Sequence, residues 1–177
     1  GVNDDFLHGE MIQYGYQFGI RIYSNQITLT GNTVSNNFWG IYFGNSIGNH
    51  IIGNSISNND IGLYLSSSIS NRIINNNVSN NRYGILLSGS IDSTIIDNTM
   101  VGVGIFIKGD MLEHWITHVI DTSNTVNGKP IIYWKNQIGG TIPNGSGQVI
   151  LANCSNIVVE NQNVSSCFCG IELGFSS

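Results

Sequence analysis

The sequence predicts an all-β solenoid, a stack of coils that each take about 22 residues. The first observation is a ladder of asparagines: Asn32, Asn54, Asn76 and Asn98 stand 22 residues apart. The second is that the whole segment repeats, since NTVSNNFWGIYFGNSIGNHIIG starts at Asn32 and NSISNNDIGLYLSSSISNRIIN starts at Asn54. A fixed period of about 20–50 residues is typical of stacked-repeat proteins.

Short strands account for the apolar positions of each repeat. Ile41, Tyr42 and Phe43 point in, out and in, and this alternation indicates a strand. Neighbouring strands lie about 4.8 Å apart, so equivalent residues of successive coils should stack directly. We therefore expect aliphatic columns such as Ile41, Leu63 and Ile85 inside. The asparagine ladder should lie at a corner, because asparagine tolerates a left-handed backbone.

The repeat changes on both sides of this regular segment. Residues 19–23 resemble an earlier coil shifted by one residue, and the SNN turn is missing after Met100. We expect the ladder to end at Asn98. The prediction is one domain over residues 1–177, with regular coils in 1–107, an insertion or decorated coil with a hairpin-like excursion in 108–150, and returning coils in 151–177.

The insertion and the chain ends carry less pattern than the coils. Strand-like runs occur at 115–120, 131–135 and 148–152. We find no amphipathic helix that would cap either end, although an open solenoid end exposes core and strand edges. The sequence therefore predicts open ends, which either continue in a longer chain or stack on another copy.

Composition excludes two classes of partner. The formal net charge is −5 with only six Lys and Arg residues, and no basic cluster is present, which argues against nucleic-acid binding. No apolar run approaches the roughly 18–20 residues of a membrane-spanning helix.

The repeat N-x-Φ-S-N-N-x-x-G-I-x-L resembles the right-handed parallel β-helix repeat of the NosD-like, carbohydrate-binding and sugar-hydrolase group. Residues 120–135, 147–154 and 159–165 are similar to segments of archaeal cell-surface β-helix proteins from methanogens. The resemblance covers essentially the whole chain. It implies a right-handed β-helix in a secreted or cell-surface protein, and it carries no agreed activity.

The acidic residues do not form a recognisable catalytic pattern. Polysaccharide hydrolysis needs two or three carboxylates that converge on one face. Asp92 and Asp97 lie on one coil, without acidic partners at the same columns of neighbouring coils. Asp60 lies one coil before Arg82 and should form a surface ion pair with it. We predict no catalytic residues.

Two histidines, His114 and His118, stand four residues apart inside the predicted insertion. On a strand they would share one face, so a metal pair is allowed, although a polar edge is the alternative. The copper site that the NosD resemblance suggests would need clustered His, Met or Cys ligands. These residues are scattered, and we predict no metal and no cofactor.

Outward aromatic residues form the candidate carbohydrate-binding site. Tyr42 and Tyr64 should stack one coil apart, beside Trp39 and Tyr83. Such a ladder can stack on sugar rings, or pack against the insertion or a neighbouring chain. A second apolar column consists of Ile52, Ile74 and Ile96. If it faces outward, it would form an exposed apolar stripe that promotes association with another chain.

Cysteines and glycosylation motifs add weaker expectations. Cys154 could bridge to Cys167 or Cys169 in an oxidising compartment, or the thiols could be buried in the core. Four sequons would accept glycans in a secreted protein, at Asn77, Asn144, Asn153 and Asn163.

These observations favour a non-enzymatic structural protein. We expect an extracellular β-solenoid of a cell-surface layer, sheath or filament, which self-associates through its ends and apolar stripe. The alternative is a carbohydrate-binding module or a polysaccharide-active enzyme of the lyase, hydrolase or epimerase kind, which would bind polysaccharide on the aromatic ladder.

Overall fold

The structure is a computed structural model that describes residues 6–8, 10–13 and 17–177. Residues 1–5, 9 and 14–16 of the predicted regular coils lie outside the described residues. Almost all regular structure is β, and one short helix, α1 (Glu113–Ile116), interrupts the strands.

Three sheets of parallel strands form the walls of the solenoid. Sheet A contains β1 (Phe6–His8), β4 (Thr28–Thr30), β7 (His50–Ile52), β10 (Arg72–Ile74), β13 (Thr94–Ile96) and β16 (Val119–Ile120). Sheet B begins with β2 (Met11–Gln13), β5 (Thr33–Ser35), β8 (Ser55–Ser57), β11 (Asn77–Ser79), β14 (Thr99–Val101) and β17 (Thr125–Val126). Sheet C contains β3 (Phe18–Ile22), β6 (Trp39–Gly44), β9 (Ile61–Ser66), β12 (Tyr83–Ser88) and β15 (Ile105–Lys108).

Equivalent residues of successive coils pair in register, as the period predicts. Ile41 lies opposite Leu63, and Leu63 lies opposite Ile85. All three side chains are fully buried in the main core. Each such side chain contributes about 1.5–3 kcal/mol by leaving water. The predicted β-solenoid with about 22 residues per coil is confirmed, and so is the one-residue shift of the first coil, where Ile20 pairs with Ile41.

The asparagine ladder runs as a continuous chain of buried hydrogen bonds. Nδ2 of Asn54 donates to Oδ1 of Asn76 at 3.0 Å, and the backbone N–H of Asn54 donates to the same oxygen at 2.9 Å. Asn32 bonds Asn54, and Asn76 bonds Asn98, in the same way. Shorter ladders occupy the other corners: Asn37, Asn59 and Asn81; Asn49 and Asn71; and Ser46, Ser68 and Ser90.

The expectation that the ladder ends at Asn98 is wrong. Nδ2 of Asn98 donates to Oδ1 of Asn124 at 2.9 Å, across 26 residues instead of 22. Strands β16 and β17 continue sheets A and B beside β13 and β14. The coil is four residues longer (26 − 22), the same length as α1. The helix covers residues 115–116 of the strand-like run predicted at 115–120, and strand β16 covers residues 119–120.

A hairpin then reverses the chain. Asn127 and Gly128 have φ of 53° and 75°, and they connect β17 to the antiparallel β18 (Lys129–Lys135). Strand β18 pairs in parallel with β20 (Gln148–Ala152), which pairs with β22 (Ile171–Gly174). A separate pair consists of β19 (Ile138–Thr141) and β21 (Ser155–Val158).

The sheet of β18, β20 and β22, here called the cap sheet, covers one end of the main core. Ile131 and Ile150 on one face belong to the main core. Val149 and Leu151 on the other face belong to a smaller second core. The strand-like runs predicted at 131–135 and 148–152 form β18 and β20. Their packing against the main core differs from the open end that the sequence predicts.

Candidate functional site

Four aromatic side chains on the outer side of sheet C form the principal candidate site, here called the aromatic face: Phe18, Trp39, Tyr42 and Tyr64. All four are half-buried, and Tyr42 and Tyr64 alternate with buried core residues of their strands, so these rings lie on the outer surface of the sheet. Tyr42 and Tyr64, two residues of the predicted aromatic ladder, are register partners in adjacent strands.

The rings pack on one another in a compact group. Trp39 and Tyr42 stack with centroids 5.5 Å apart and planes inclined by 24°. Tyr64 meets the edge of both, with centroids 5.2 Å from Tyr42 and 6.0 Å from Trp39. Phe18 lies 4.5 Å from Trp39. The contacts fix the ring orientations before any ligand binds, which reduces the entropy cost of binding.

An arginine and a tyrosine extend the aromatic face at its first coil. The guanidinium of Arg21 lies 4.7 Å from the ring centroids of Phe18 and Tyr23, and it donates to the Tyr23 hydroxyl at 2.8 Å. This hydrogen bond lowers the pKa of Tyr23, whereas burial raises the pKa of Tyr42. Gly44 leaves room for both tyrosines, because a Cβ there would lie 2.5 Å from the Tyr23 ring.

Tyr83 does not join the aromatic face. Its ring centroid lies 4.2 Å from Phe168 and 6.1 Å from Phe106, in a second group. The structure thus brings together three of the four predicted aromatics and separates Tyr83. Sequence reasoning missed Phe18 and Arg21, although the shifted first coil places them opposite Trp39 and Tyr42.

The arrangement is suited to binding sugars. Half-exposed rings offer apolar faces, while the hydroxyls of Tyr42 and Tyr64 and the guanidinium of Arg21 offer hydrogen bonds. These apolar and polar groups lie on an outer sheet face and not in an enclosed cavity, which fits an extended ligand better than a small one.

The described carboxylates do not gather near these rings. Asp60 forms the expected ion pair with Arg82, with Oδ1 and Nη1 3.6 Å apart. Across residues 10–13 and 17–177, no group of three His, Cys, Asp or Glu residues is placed to hold a metal ion.

The two histidines take different roles. Nδ1 of His118 accepts from the Ser93 N–H at 3.2 Å, and its Nε2 lies 3.0 Å from the His114 carbonyl. Both ring nitrogens are therefore occupied, and burial lowers the pKa of His118 to about 4. His114 is also buried, and its Nδ1 accepts from the Met111 N–H at 3.4 Å.

The three cysteines are free thiols, and Cys154 lies apart from the neighbouring Cys167 and Cys169. Cys154 lies in the second core, whereas Cys167 packs against the main core. Burial raises the pKa of both Cys167 and Cys169. The four sequon asparagines are all exposed: Asn77, Asn144, Asn153 and Asn163.

Apolar side chains remain exposed in two places relevant to assembly. The predicted stripe of Ile52, Ile74 and Ile96 lies half-buried on sheet A. Leu173 is 61% exposed and Phe175 is 52% exposed at the cap sheet. In the described part of the chain, no helix is long and apolar enough to cross a membrane.

Comparison with known proteins gives one match. The sequence model of the family described as "Periplasmic copper-binding protein (NosD)" matches residues 1–125. No curated protein and no solved structure matches the chain.

The described residues do not fit a copper site. Copper selects imidazole and sulfur ligands that converge on one point. Both nitrogens of His118 are committed to hydrogen bonds, and Cys154 and Cys167 lie on different cores.

Proposed function

We propose that this chain, which belongs to the NosD family, is a non-catalytic protein outside the cytoplasm. We further propose that it binds polysaccharide on its aromatic face. The family description is periplasmic, and four exposed sequon asparagines are compatible with an extracellular or periplasmic location. The archaeal surface-protein resemblance remains a prediction.

The packed group of Trp39, Tyr42 and Tyr64 is the observation that carries this proposal. Aromatic rings held on rigid strands can stack on sugar rings without a loop rearranging. The rings lie on a sheet whose strands contain neither Asp nor Glu, and this favours binding over cleavage, which needs a pair of carboxylates.

Affinity electrophoresis against a panel of soluble polysaccharides tests the proposal. Tyr64→Ala should weaken the affinity for the polysaccharide about fivefold, since stacking of one ring contributes about 1 kcal/mol. Tyr83→Ala is the matched control, because Tyr83 has the same residue type and sheet but lies in the second group. Equal losses in both variants, or full binding by Tyr64→Ala at an unchanged melting temperature, would contradict the assignment.

The self-associating surface or filament protein is the second candidate. The exposed Leu173 and Phe175 at the cap sheet favour it, because exposed apolar side chains at a strand edge promote contact with another chain. Electron microscopy and light scattering distinguish the two functions. A monomer at high concentration would exclude self-assembly of this chain.

A further inference from the structure

A pocket at the carboxyl end of sheet C suggests which polysaccharide the aromatic face binds. The cavity has a volume of about 470 Å³. The lining consists of Ser88, Gly89, Lys108, Gly109, Asp110 and His114.

The pocket lies on the same side of sheet C as the aromatic face. Lys108 is the register partner of Ser88, and Ser88 is the register partner of Ser66 in β9, the strand of Tyr64. Lys108 is two coils beyond Tyr64, which corresponds to about 10 Å along the stack. One oligosaccharide could therefore reach both places.

His114 presents a polar group to this pocket. Its side chain is buried, and its Nδ1 accepts from the Met111 N–H, so the neutral ring carries its proton on Nε2. The Cε1 edge faces Gly89, which also lines the pocket. Among the described residues, the Nε2 of His114 makes no hydrogen bond. Gly109 makes this position possible, because a Cβ there would lie 2.2 Å from the imidazole ring.

The charges on this sheet favour an anion. The strands of sheet C contain Arg21 and Lys108 and neither Asp nor Glu, although the protein carries a net charge of −5. Asp110 also lines the pocket, with its carboxylate 3.9 Å from Nδ1 of His114 and its side chain almost completely exposed. Water screens the charge of this exposed carboxylate, which approaches the ring at Nδ1 and not at Nε2.

We infer that Lys108, His114 and Ser88 bind an anionic substituent, a carboxylate or a sulfate, of the polysaccharide. This inference rests on the proposed function and narrows the substrate class to acidic polysaccharides. The Lys108 ammonium supplies charge, and the His114 Nε2–H and the Ser88 hydroxyl supply directed hydrogen bonds.

Affinity electrophoresis with polygalacturonate, dextran sulfate and uncharged dextran tests the inference. Lys108→Gln should weaken binding of the preferred acidic polysaccharide about tenfold, the effect of one charge-assisted contact. His114→Gln should have a similar effect, and its melting temperature reports whether the pocket is still folded. Arg72→Gln is the control, because it removes one exposed cation from sheet A.

The outcomes separate the inference from the proposed function. Preference for polygalacturonate identifies a carboxylate, and preference for dextran sulfate identifies a sulfate. If dextran binds as tightly as both acidic polymers, and Tyr64→Ala alone weakens binding, the anion pocket is refuted while the aromatic face stands. If Lys108→Gln and Arg72→Gln weaken binding equally, only general charge attraction operates and the pocket is also refuted. Failure to bind any polysaccharide would refute both.

Discussion

The regular coils up to about residue 107 and the segment from 108 to 177 satisfy buried backbone groups in different ways. In the regular coils, the same side chain repeats, and each Asn of the ladder accepts from the backbone of the coil before it. In the later segment, side chains of different types accept the hydrogen bonds of buried backbone N–H groups. Gln148 accepts from the Ile105 N–H at 2.9 Å, and the Glu172 carboxyl accepts from the Ile107 N–H at 3.1 Å.

This difference separates periodic from long-range stabilisation. A rung of the ladder links residues 22 apart, whereas Gln148 and Glu172 reach 43 and 65 residues back to the edge of sheet C. The edge strand β15 is therefore covered by side chains instead of by another strand. The regular coils should be sensitive to loss of an amide, and the later segment should be sensitive to pH.

The largest expected effect comes from breaking the ladder. Asn76→Ala would remove the acceptor of the Asn54 N–H and three donor contacts, to Ile51, Ile74 and Asn98. We expect a loss of about 2–4 kcal/mol in the free energy of unfolding, because a buried donor is left unpaired. Urea denaturation measures this loss.

Asn77→Ala is the matched control for this variant. Asn77 is the next residue along the chain, but its side chain is exposed, so its replacement should change stability by about 0.5 kcal/mol or less. Similar losses in the two variants would show that the ladder contributes no more than a surface asparagine.

A pH effect comes next and belongs to the cap sheet. Burial raises the pKa of Glu172 from 4.5 to about 8, although the Ile107 N–H opposes the shift. Between these values the folded protein retains a proton that the unfolded chain has released, so stability falls as pH rises through this range. His118, whose pKa is lowered from 6.5 to about 4, gives the opposite slope below pH 6.5.

Glu172→Gln should therefore abolish the loss of stability between pH 6.5 and about 8. Its amide oxygen can still accept from the Ile107 N–H, and no charge is buried. Above pH 8 the variant should be more stable than the parent by at least about 2 kcal/mol. Thermal unfolding measured from pH 5 to 9 checks this, and parallel curves for the two proteins would contradict the buried-carboxyl assignment.

The smallest effect would come from restoring a missing hydrogen bond within the regular coils. Asn71 Nδ2 and Ser93 Oγ are buried without a hydrogen-bond partner in the described part of the chain. Ser93→Asn would place an amide oxygen next to the unpaired Nδ2 of Asn71. The new pair would repeat the hydrogen bond that Asn49 Nδ2 donates to Asn71 Oδ1 one coil earlier. We expect a gain of about 1 kcal/mol by urea denaturation. Ser90→Asn, at a rung where serine already bonds Leu65, should instead destabilise through crowding.

Much of the regular region could be predicted from the sequence. The columns of Ile41, Leu63 and Ile85 and the ladder through Asn54 and Asn76 follow from a constant spacing. When every coil has the same length, sequence distance alone determines which residues stack. The carbohydrate-binding, glycosylation and assembly assignments remain predictions, because their outcome depends on partners.

The later elements escaped prediction for a related reason. The 22-residue spacing does not lead from Asn98 to Asn124, because α1 lengthens this coil to 26 residues. Gln148 and Glu172 carry no local signal, since their partners lie on a strand far away in the sequence. Tyr83 has the same place in its repeat as Trp39, but its ring packs against Phe168 in the second aromatic group.

By itself, the sequence determined the parallel β-solenoid, its coil length, its aliphatic core and the asparagine corners. A constant period brings identical residues together at about 4.8 Å, so local pattern and tertiary contact carry the same information. Only the tertiary structure decided the fifth rung at Asn124, the cap sheet, the grouping of the aromatic face and the pocket around Lys108 and His114. In those places the period fails, and side-chain volume and the need to satisfy buried backbone groups determine which distant segments meet.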